Sequence, residues 1–219
     1  MKTMKMRKKH AIRGLYAVTP DESDTAELLR KVRLALQGGA SVLQYRNKAA
    51  NAELKREQAQ ALRQLVGDFE CTYLVNDDAQ LAKLVNADGV HLGGGDGSVN
   101  LARAILGETK IIGMSCYNRI LLAHQAAQQG VDYIAFGAFF PSGVKPDAVK
   151  AEVKILQTAK KEINLPIVAI GGITQQNGAS LIEAGTDALA VISALWNASD
   201  IHVSAQEFST LFSRASNDI

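Results

Sequence analysis

Eight short apolar stretches, separated by longer segments of helical period, are the feature that most limits how this chain can fold. Strands are predicted where Val, Ile and Tyr concentrate, at 14–19, 41–46, 72–76, 88–92, 111–115, 132–137, 166–171 and 187–193. Helices are predicted after them, at 24–37, 51–66, 78–86, 98–106, 118–129, 147–162, 175–184 and 203–214. Strands that are apolar on both faces are typical of a parallel sheet covered by helices. Eight such units in 219 residues predict an α/β fold, a single (β/α)8 TIM barrel.

A doubly wound open sheet is the main alternative for this alternation. That fold would be expected to carry a glycine fingerprint for phosphate after its first strand, whereas the first strand here runs into Thr19 and Pro20. Glycine-containing turns precede four of the predicted strands, where a left-handed helix end suits glycine. These turns lie at 38–40, 87–89, 130–132 and 184–187.

The charge of the chain is unevenly distributed. The whole sequence holds 24 basic and 22 acidic residues, but residues 1–13 carry six basic residues and no acidic one. The remainder therefore has 18 basic residues against 22 acidic ones and is mildly acidic. Only 5% of the residues are aromatic, so the pattern does not favour nucleic-acid binding. We predict a basic, flexible N-terminal tail over residues 1–12 and a catalytic barrel over residues 13–219.

Cysteine use and hydropathy indicate the cellular compartment in which the protein is expected. No apolar run approaches the roughly 18 residues that cross a bilayer, and no apolar segment of a secretory signal follows the basic N-terminus. Cys71 and Cys116 show neither metal-site spacing nor a disulfide framework, so we predict reduced core thiols. We expect a cytoplasmic protein without nucleic-acid or membrane partners, and the sequence leaves homo-oligomerisation open.

Polar residues cluster where the predicted strands end. Barrels of this class build their active sites from the carboxyl ends of the strands and the loops that follow. If the barrel closes, these residues meet at one mouth. They are the residues at 44–48, 76–78, 96, 115, 142–145, 171–172 and 193.

Two carboxylates at these strand ends suggest a metal site. Asp77 and Asp96 follow neighbouring strands, so both side chains could bind one cation. Mg²⁺ usually binds through one or two carboxylates and keeps several waters, and the lack of His or Cys beside them argues against zinc. Asp78 fits better as the acidic residue that starts the next helix. His91 is expected to be a core or supporting residue.

The cations at the same mouth indicate phosphate ligands. Arg46, Lys48 and Lys145 come from two loops, and together with a metal they suit a diphosphate better than a phosphate monoester. A separate anion site is suggested after the seventh and eighth strands, where these barrels often bind phosphate. Glycine there lets backbone N–H groups approach an anion, although it also suits close packing. The residues concerned are Gly171, Gly172, Ile192 and Ser193.

In their order along the chain, these motifs resemble the thiamine phosphate synthase family from about residue 13 to 214. No single motif decides the resemblance, but their succession on consecutive strands is specific. The matching stretches are GLYAVTP (14–20), LQYRNK (43–48), LVNDD (74–78), GVHLGGGD (89–96), IIGMS (111–115), DYIAFGAFFPSGVK (132–145), VAIGGI (168–173) and AVIS (190–193).

The resemblance implies a transferase reaction. The family joins the diphosphate of 4-amino-5-hydroxymethyl-2-methylpyrimidine to 4-methyl-5-(2-hydroxyethyl)thiazole phosphate, and releases thiamine phosphate and diphosphate. It also implies that diphosphate leaves first, giving a pyrimidine methyl cation that the thiazole nitrogen attacks. Such a step needs charge neutralised on the leaving group more than it needs a general base.

Roles for individual residues are implied by matching position. Arg46, Lys48 and Lys145 would be catalytic, and Asp77 and Asp96 would bind Mg²⁺. The pyrimidine diphosphate would be held by Gln44, Tyr45, Arg46, Asn47, Lys48, Asn76, Ser115 and Lys145. The thiazole phosphate would be held by Ser142, Gly143, Val144, Gly172, Ile192 and Ser193.

Three positions depart from the common pattern of the family. Asn47 stands where glutamate is common, Gly94 where glutamine often follows His-Leu-Gly, and Val144 where a second hydroxyl is common. Since the five charged residues of the predicted site are all present, we expect the departures to affect affinity rather than the reaction.

Three rival functions remain open at this stage. A thiazole tautomerase of similar sequence would carry a catalytic histidine where this chain has Ala138. A non-catalytic phosphate-binding barrel would be expected to have lost Lys145 or a metal ligand. A sugar-phosphate isomerase or an aldolase shares the fold, but an aldolase would need a desolvated lysine within a strand, and Lys48 and Lys145 lie on loops.

Overall fold

Eight parallel strands close into a barrel in the computed structural model, which describes residues 12–93, 98–141 and 149–215. Each strand pairs with the next along the chain, and β1 pairs with β8 to close the ring. The (β/α)8 prediction is therefore confirmed. The strands are β1 (Gly14–Val18), β2 (Val42–Tyr45), β3 (Thr72–Asn76), β4 (Gly89–Leu92), β5 (Ile111–Tyr117), β6 (Tyr133–Phe136), β7 (Ile167–Ile170) and β8 (Ala188–Val191).

Helices follow the strands around the outside of the barrel. A 3₁₀ turn at Val66–Asp68 continues α2. Asp24, Asn51 and Asp78 accept hydrogen bonds from backbone N–H groups at the starts of α1, α2 and α3, which confirms the helix-start role predicted for Asp78. The helices are α1 (Thr25–Gln37), α2 (Ala52–Leu65), α3 (Ala79–Leu84), α4 (Val99–Leu106), α5 (Ile120–Gln128), α6 (Lys154–Glu162), α7 (Gly178–Glu183), α8 (Ser193–Trp196) and α9 (Ile201–Ala215).

Two of the predicted boundaries that were wrong bear on the predicted site. The helix predicted from residue 147 begins at Lys154, because the preceding segment pairs its backbone with Ala138, which donates to Val149 O and accepts from Ala151 N. The strand predicted to end at Ser193 ends at Val191, and Ser193 begins the short helix α8. Both differences lie at the end of the barrel where the site was predicted.

The strands alternate between a filled barrel interior and an outer layer that packs against the helices. Successive side chains of a strand point to opposite faces, so Tyr16 and Val18 of β1 face inward while Leu15 and Ala17 face the helices. Tyr133 of β6 also lies inside the barrel. The interior is thus packed by large side chains below its mouth. The buried residues of this inner cluster are Ile12, Tyr16, Val18, Val42, Leu74, Tyr133, Ala135, Val168, Ala188 and Ala190.

Three aspartates at the amino ends of strands form a repeated contact, and we call them the lower-rim aspartates. Asp88, Asp132 and Asp187 precede β4, β6 and β8, within three of the glycine-containing turns noted in the sequence. Their Oδ2 atoms accept from the backbone N–H of Tyr73, Ile112 and Ile167, at 2.9, 2.8 and 2.8 Å. Each carboxylate also pairs with a cation of the outer helix that comes before the neighbouring strand: Arg63 of α2, Arg103 of α4 or Lys160 of α6.

Two sequence predictions about chemistry and membranes are tested by the described residues. Cys71 and Cys116 are both buried and not bonded to each other, as predicted for core thiols. Within 12–93, 98–141 and 149–215, no helix is both long enough and apolar enough to cross a membrane. The cytoplasmic location, the lack of nucleic-acid partners, the oligomeric state and the division into a tail and a barrel stay predictions.

Candidate active site

A cavity of about 480 Å³ opens at the carboxyl ends of the strands. Its floor and walls come from inward side chains of the barrel, and its rim comes from the loops after β2, β3, β4 and β5. Seven of the predicted site residues line this cavity. They are Gln44, Arg46, Lys48, Asn76, Asp77, Ser115 and Ile192.

Arg46 is held at the rim by the loop that follows β1. The Thr19 hydroxyl donates to Arg46 O at 2.7 Å and accepts from Arg46 N at 2.8 Å, although it is a fully buried side chain. Asp21 Oδ1 accepts from Lys48 N at 2.6 Å and lies 3.4 Å from Arg46 Nη1. These contacts fix the backbone beside both cations, so their head groups reach the cavity from a rigid base.

Asp77 presents its carboxylate to the same side of the cavity. Its backbone adopts a left-handed conformation with φ of 62°, which is uncommon outside glycine and is found preferentially at functional positions. Oδ2 accepts from Asn76 Nδ2 at 2.6 Å, and Oδ1 accepts from Gly93 N at 3.3 Å. Lys48 Nζ lies 3.8 Å from Oδ2. The carboxylate is thus oriented by two donors, with 26% of the side chain still exposed.

Below the charged rim, five inward side chains form a chain of hydrogen bonds that we call the floor network. Gln44 Nε2 donates to the Tyr16 hydroxyl at 2.6 Å, and the Tyr16 and Tyr133 hydroxyls are 2.8 Å apart. His91 Nδ1 lies 2.7 Å from the Tyr133 hydroxyl, and His91 Nε2 lies 2.9 Å from Ser115 Oγ. Burial raises the pKa of both tyrosines well above the usual range, so both hydroxyls stay protonated.

Two predicted ligand residues have side chains that point away from the cavity. Tyr45 is outward on β2 and its hydroxyl donates to Gln58 Oε1 at 2.9 Å. Asn47 is buried, and its Nδ2 donates to Glu22 O at 2.7 Å and to Gln58 Oε1 at 3.0 Å. These contacts tie the loop after β2 to α2. The ligand contacts predicted for Tyr45 and Asn47 stay predictions.

A second cavity of about 340 Å³ adjoins the first at the ends of β7 and β8. Gly172 and Ser193 line it, together with Ile192, which the two cavities share. Gly172 has φ of 62°, and a side chain there would collide with the carbonyl oxygens of Phe140 and Pro141. The glycine is therefore required by local packing, and its absent side chain also leaves the cavity wall open.

Five predicted site residues lie outside the described residues. Asp96 belongs to the loop after β4, and the others belong to the loop after β6. The latter are Ser142, Gly143, Val144 and Lys145.

Comparison with known proteins decides the family. The family model described as "Thiamine monophosphate synthase" matches residues 15–195. The thiamine-phosphate synthase of Methylobacillus flagellatus is 54% identical over 201 residues, which cover 92% of this chain and 96% of the relative. That of Nitrosospira multiformis is 51% identical over 205 residues, which cover 94% and 88%. The solved structure of a thiamine phosphate pyrophosphorylase from Pyrococcus furiosus has a TM-score of 0.84 at 33% identity, covering 92% of this chain and 96% of that one.

The chain belongs to the thiamine monophosphate synthase family. The resemblance drawn from the strand-end motifs is confirmed, and so is the prediction of an enzyme of the transferase class.

For a member of this family, the donor set around Asp77 fits a magnesium ion. The carboxylate is already oriented by Asn76 and Gly93, and a hard oxygen donor with room for water and phosphate oxygens is what Mg²⁺ prefers. Across the described part of the chain, no three His, Cys, Asp or Glu side chains form a cluster that could hold a metal on their own. Mg²⁺ bound jointly by Asp77 and Asp96 stays a prediction, because Asp96 lies outside that part.

Several residues of the site were missed by sequence reasoning. Thr19 and Asp21 position Arg46 and Lys48, and only the contact between two loops distant in sequence gives them that role. The period of two along their strands could have placed Tyr16 and Tyr133 inside the barrel. It could not have predicted the hydrogen bond between them. Tyr117, Asn118 and Arg119 line the cavity because β5 extends two residues beyond its predicted end.

Proposed function

We propose that this chain condenses 4-amino-2-methyl-5-(diphosphooxymethyl)pyrimidine with 4-methyl-5-(2-phosphooxyethyl)thiazole, giving thiamine phosphate and diphosphate with the aid of Mg²⁺. The observation that carries the proposal is that two cavities lie side by side and share part of their lining. One has Arg46, Lys48 and Asp77 at its rim, and the other lies beside it at the ends of β7 and β8. The relatives described above are named for the product, thiamine phosphate.

In this proposal the charged rim takes the diphosphate. Arg46 offers a planar fork of donors for phosphate oxygens, and Lys48 adds a compact positive charge next to Asp77. Mg²⁺ held by Asp77 and Asp96 would neutralise further charge on the departing diphosphate. Charge neutralised where it develops lowers the barrier to breaking the carbon–oxygen bond. Lys145 is proposed to act on the same leaving group.

The floor of the cavity takes the pyrimidine ring. Gln44 and Ser115 offer polar atoms to the ring from opposite sides of the barrel, while Val18, Val168 and Ala190 give apolar walls. Apolar walls exclude water, which would otherwise capture a carbocation before the second substrate reached it. The thiazole phosphate then lies in the adjoining cavity, with its phosphate near Gly172 and Ser193 and its ring passing Ile192.

The chemistry needs no histidine base, and His91 is not placed as one. Both of its ring nitrogens lie within hydrogen-bond distance of other side chains, the Tyr133 hydroxyl and Ser115 Oγ. Ala138 lines the cavity at the position where a tautomerase would carry its histidine. The rival tautomerase function therefore has no candidate base at that position.

The test is product formation by the purified chain. With both substrates and Mg²⁺, we expect equal amounts of diphosphate and thiamine phosphate, and neither product when the thiazole phosphate or the metal is omitted. Chromatography of thiamine phosphate and a diphosphate assay measure the two products independently. Binding of both substrates without turnover, under any divalent cation, would refute the proposal and favour a non-catalytic binding barrel.

A further inference from the structure

The segment after Ser115 brings a further cation to the cavity, and no prediction from the sequence included it. β5 continues to Tyr117, and its pairing with β6 shifts between Ser115 and Tyr117, which is the pattern of a β-bulge. Bulges are common beside active sites, where they redirect a side chain. Arg119 lies directly after this bulge and lines the cavity.

Backbone contacts fix the path of the chain from the bulge to Arg119. Tyr117 has φ of 53°, and Arg119 N donates to Cys116 O at 3.0 Å, which closes a tight turn. Gly137 N donates to Tyr117 O at 3.0 Å and ties this turn to the end of β6. The backbone of Arg119 is therefore held at the rim of the cavity, although its side chain is exposed.

Arginine at this position does not stabilise α5. Arg119 is the N-cap residue of that helix, and its side chain makes no capping hydrogen bond. The caps of α1, α2 and α3, in contrast, are Asp24, Asn51 and Asp78, whose side chains accept from backbone N–H groups. A cation at the start of a helix is also disfavoured by the helix macrodipole. The identity of residue 119 is thus better explained by the cavity than by the helix.

The charge of Arg119 is not compensated by an acid in the way that the charges of the other two rim cations are. Arg46 Nη1 lies 3.4 Å from Asp21 Oδ1, and Lys48 Nζ lies 3.8 Å from Asp77 Oδ2. Among the residues that the structure describes, no carboxylate forms an ion pair with Arg119. Its guanidinium can therefore offer two parallel N–H groups to an anionic ligand in the cavity.

We propose that Arg119 binds the terminal phosphate of the pyrimidine diphosphate and thereby favours a diphosphate over a monophosphate. The inference rests on the proposed function for the identity of the substrate, whereas the preference for a diphosphate group is a property that can be measured without the pyrimidine. With the ring on the cavity floor, the phosphate joined to the reacting carbon lies deeper, and the terminal phosphate lies nearer the rim.

Depth within the cavity assigns Arg119 to the outer phosphate. Ser115, at the end of the floor network, is partly buried, and the side chains of Arg46 and Asp77 are 15% and 26% exposed. Arg119 is exposed and follows β5, whereas Lys48 follows β2, so these two cations reach the rim from different sides. A terminal phosphate presents three acceptor oxygens, which suits a grip from two sides.

The adjoining cavity at the ends of β7 and β8 gives Arg119 no equivalent role. Arg119 does not line that cavity, and the described residues that line it carry no charge. The phosphate of the thiazole substrate, which is proposed to lie there, is thus separated from Arg119 by the shared wall at Ile192. The diphosphate is the anion that we assign to Arg119.

Calorimetry with inorganic diphosphate and inorganic phosphate, both with Mg²⁺ and the full chain, tests the preference without the pyrimidine. We expect Arg119→Gln to bind diphosphate about tenfold more weakly and phosphate within about twofold of the native affinity, because one charge-assisted contact at an exposed rim is lost. Arg119→Lys keeps the charge without the planar fork and should restore part of the loss. Equal weakening of both anions, or no change in either, would overturn the proposal.

Arg33→Gln is the matched control, because it removes the same charge from an exposed arginine of the outer helix α1. Its affinity for diphosphate should equal that of the native chain. A loss as large as in Arg119→Gln would show that net charge acts instead, and would overturn the proposal. Arg119→Asn should raise the midpoint of urea unfolding, since asparagine is a good helix cap, and should weaken diphosphate as Arg119→Gln does. Loss of binding in a stabilised variant cannot result from unfolding.

Steady-state kinetics connect the inference to the proposed function. In Arg119→Gln we expect KM for the pyrimidine diphosphate to rise about tenfold and kcat to stay within about threefold, since charge develops at the oxygen that leaves the carbon rather than at the terminal phosphate. An increase confined to KM for the thiazole phosphate would overturn the proposal. If the native chain made no thiamine phosphate, the proposed function would fail, and calorimetry with the two inorganic anions would still decide the role of Arg119.

Discussion

The two ends of the barrel use aspartates in opposite ways. At the amino ends of the strands, each lower-rim aspartate accepts from a backbone N–H and pairs with a cation of an outer helix. At the carboxyl ends, Asp77 accepts from Asn76 and Gly93, but it faces a cavity and a lysine 3.8 Å away, on an uncommon backbone conformation. The lower-rim carboxylates bond to other groups of the protein, whereas the carboxylate of Asp77 faces the cavity, where a ligand would bind.

This difference shows how one residue type serves two purposes in a barrel of this class. A carboxylate that bonds to a strand N–H and pairs with a cation stabilises the fold, and its oxygen atoms are then engaged within the protein rather than with a ligand. A carboxylate held by two donors on a strained backbone contributes little to folding and keeps lone pairs for a cation. The same substitution at the two ends should therefore separate stability from activity.

The largest expected effect comes from Asp77→Asn at the upper rim. Asparagine keeps the shape and tolerates the left-handed backbone, but it removes the negative charge that a magnesium ion needs. We expect kcat/KM for thiamine phosphate formation to fall at least about 100-fold, since charge stabilisation of the leaving group is lost. The free energy of unfolding should change by less than about 0.5 kcal/mol. Steady-state kinetics with saturating Mg²⁺ and urea unfolding measure the two quantities.

Asp88→Asn provides the matched change at the lower rim. Asp88 is 8% exposed, and its Oδ2 accepts from Tyr73 N and Arg63 Nη1. Weakening hydrogen bonds to a buried charged group should lower the free energy of unfolding by about 2 kcal/mol and leave kcat/KM of the folded enzyme unchanged. If Asp88→Asn reduced kcat/KM as strongly as Asp77→Asn, the proposed separation between the two ends would be refuted.

The second prediction concerns Asn47, a predicted site residue that the structure ties into the framework. Its Nδ2 donates to Glu22 O and Gln58 Oε1, so an acceptor-only aspartate of the same shape would lose both bonds and place a charge among oxygens. We expect Asn47→Asp to lower the free energy of unfolding by about 2–3 kcal/mol.

Asn51→Asp is the control for that change, because Asn51 is an exposed cap of α2 and aspartate caps a helix equally well. Unchanged stability in Asn47→Asp, together with a raised KM for the pyrimidine diphosphate, would mean that residue 47 acts on the ligand rather than on the framework.

Asp21 allows a smaller test of how the upper rim positions its cations. Asp21 Oδ1 accepts from Lys48 N at 2.6 Å, and its removal in Asp21→Ala should loosen the loop that carries both cations. We expect KM for the pyrimidine diphosphate to rise about tenfold, the effect of losing one charge-assisted hydrogen bond. Asp21→Asn can keep this bond and should restore most of the affinity. A lower KM in Asp21→Ala would show instead that the carboxylate opposes the substrate by its charge.

The sequence was sufficient to predict the strands and the residues at their ends, but not the contacts between loops. The alternation of apolar strands with helices was enough for the closed barrel, and position at strand ends was enough to bring Gln44, Arg46, Asp77 and Ser115 to one cavity. Whether the side chain of a strand-end residue points into the cavity depends on the exact register of the strand and on the path of the loop. Asn47 therefore entered the predicted site although its side chain turns to α2. Contacts between distant loops, such as that of Thr19 with Arg46, leave no local pattern in a single sequence.

The smallest effect is expected at the two cysteines, which lie near opposite ends of the barrel. Cys71 precedes β3, and Cys116 follows Ser115 in β5 next to the cavity. Burial raises the pKa of both thiols from 9.0 to about 12, so little thiolate is present at pH 8. We expect neither to react with Ellman's reagent in the native protein, and both to react in denaturant. Faster reaction of Cys116 than of Cys71, suppressed by the pyrimidine diphosphate, would contradict the prediction that burial protects both thiols equally.

The raised thiol pKa values also set the sign of a dependence of stability on pH. Because the folded protein holds these protons more tightly than the unfolded chain does, their stabilising effect is complete below about pH 9 and is lost as the pH rises towards 12. Replacing either cysteine by alanine should make the free energy of unfolding, measured by urea titration between pH 8 and 10, decline less steeply. Since both thiols are buried to a similar degree, Cys71→Ala and Cys116→Ala should flatten the curve by similar amounts. If only Cys116→Ala flattened the curve, the loss of unfolding free energy at alkaline pH would come from the thiol at the cavity end alone.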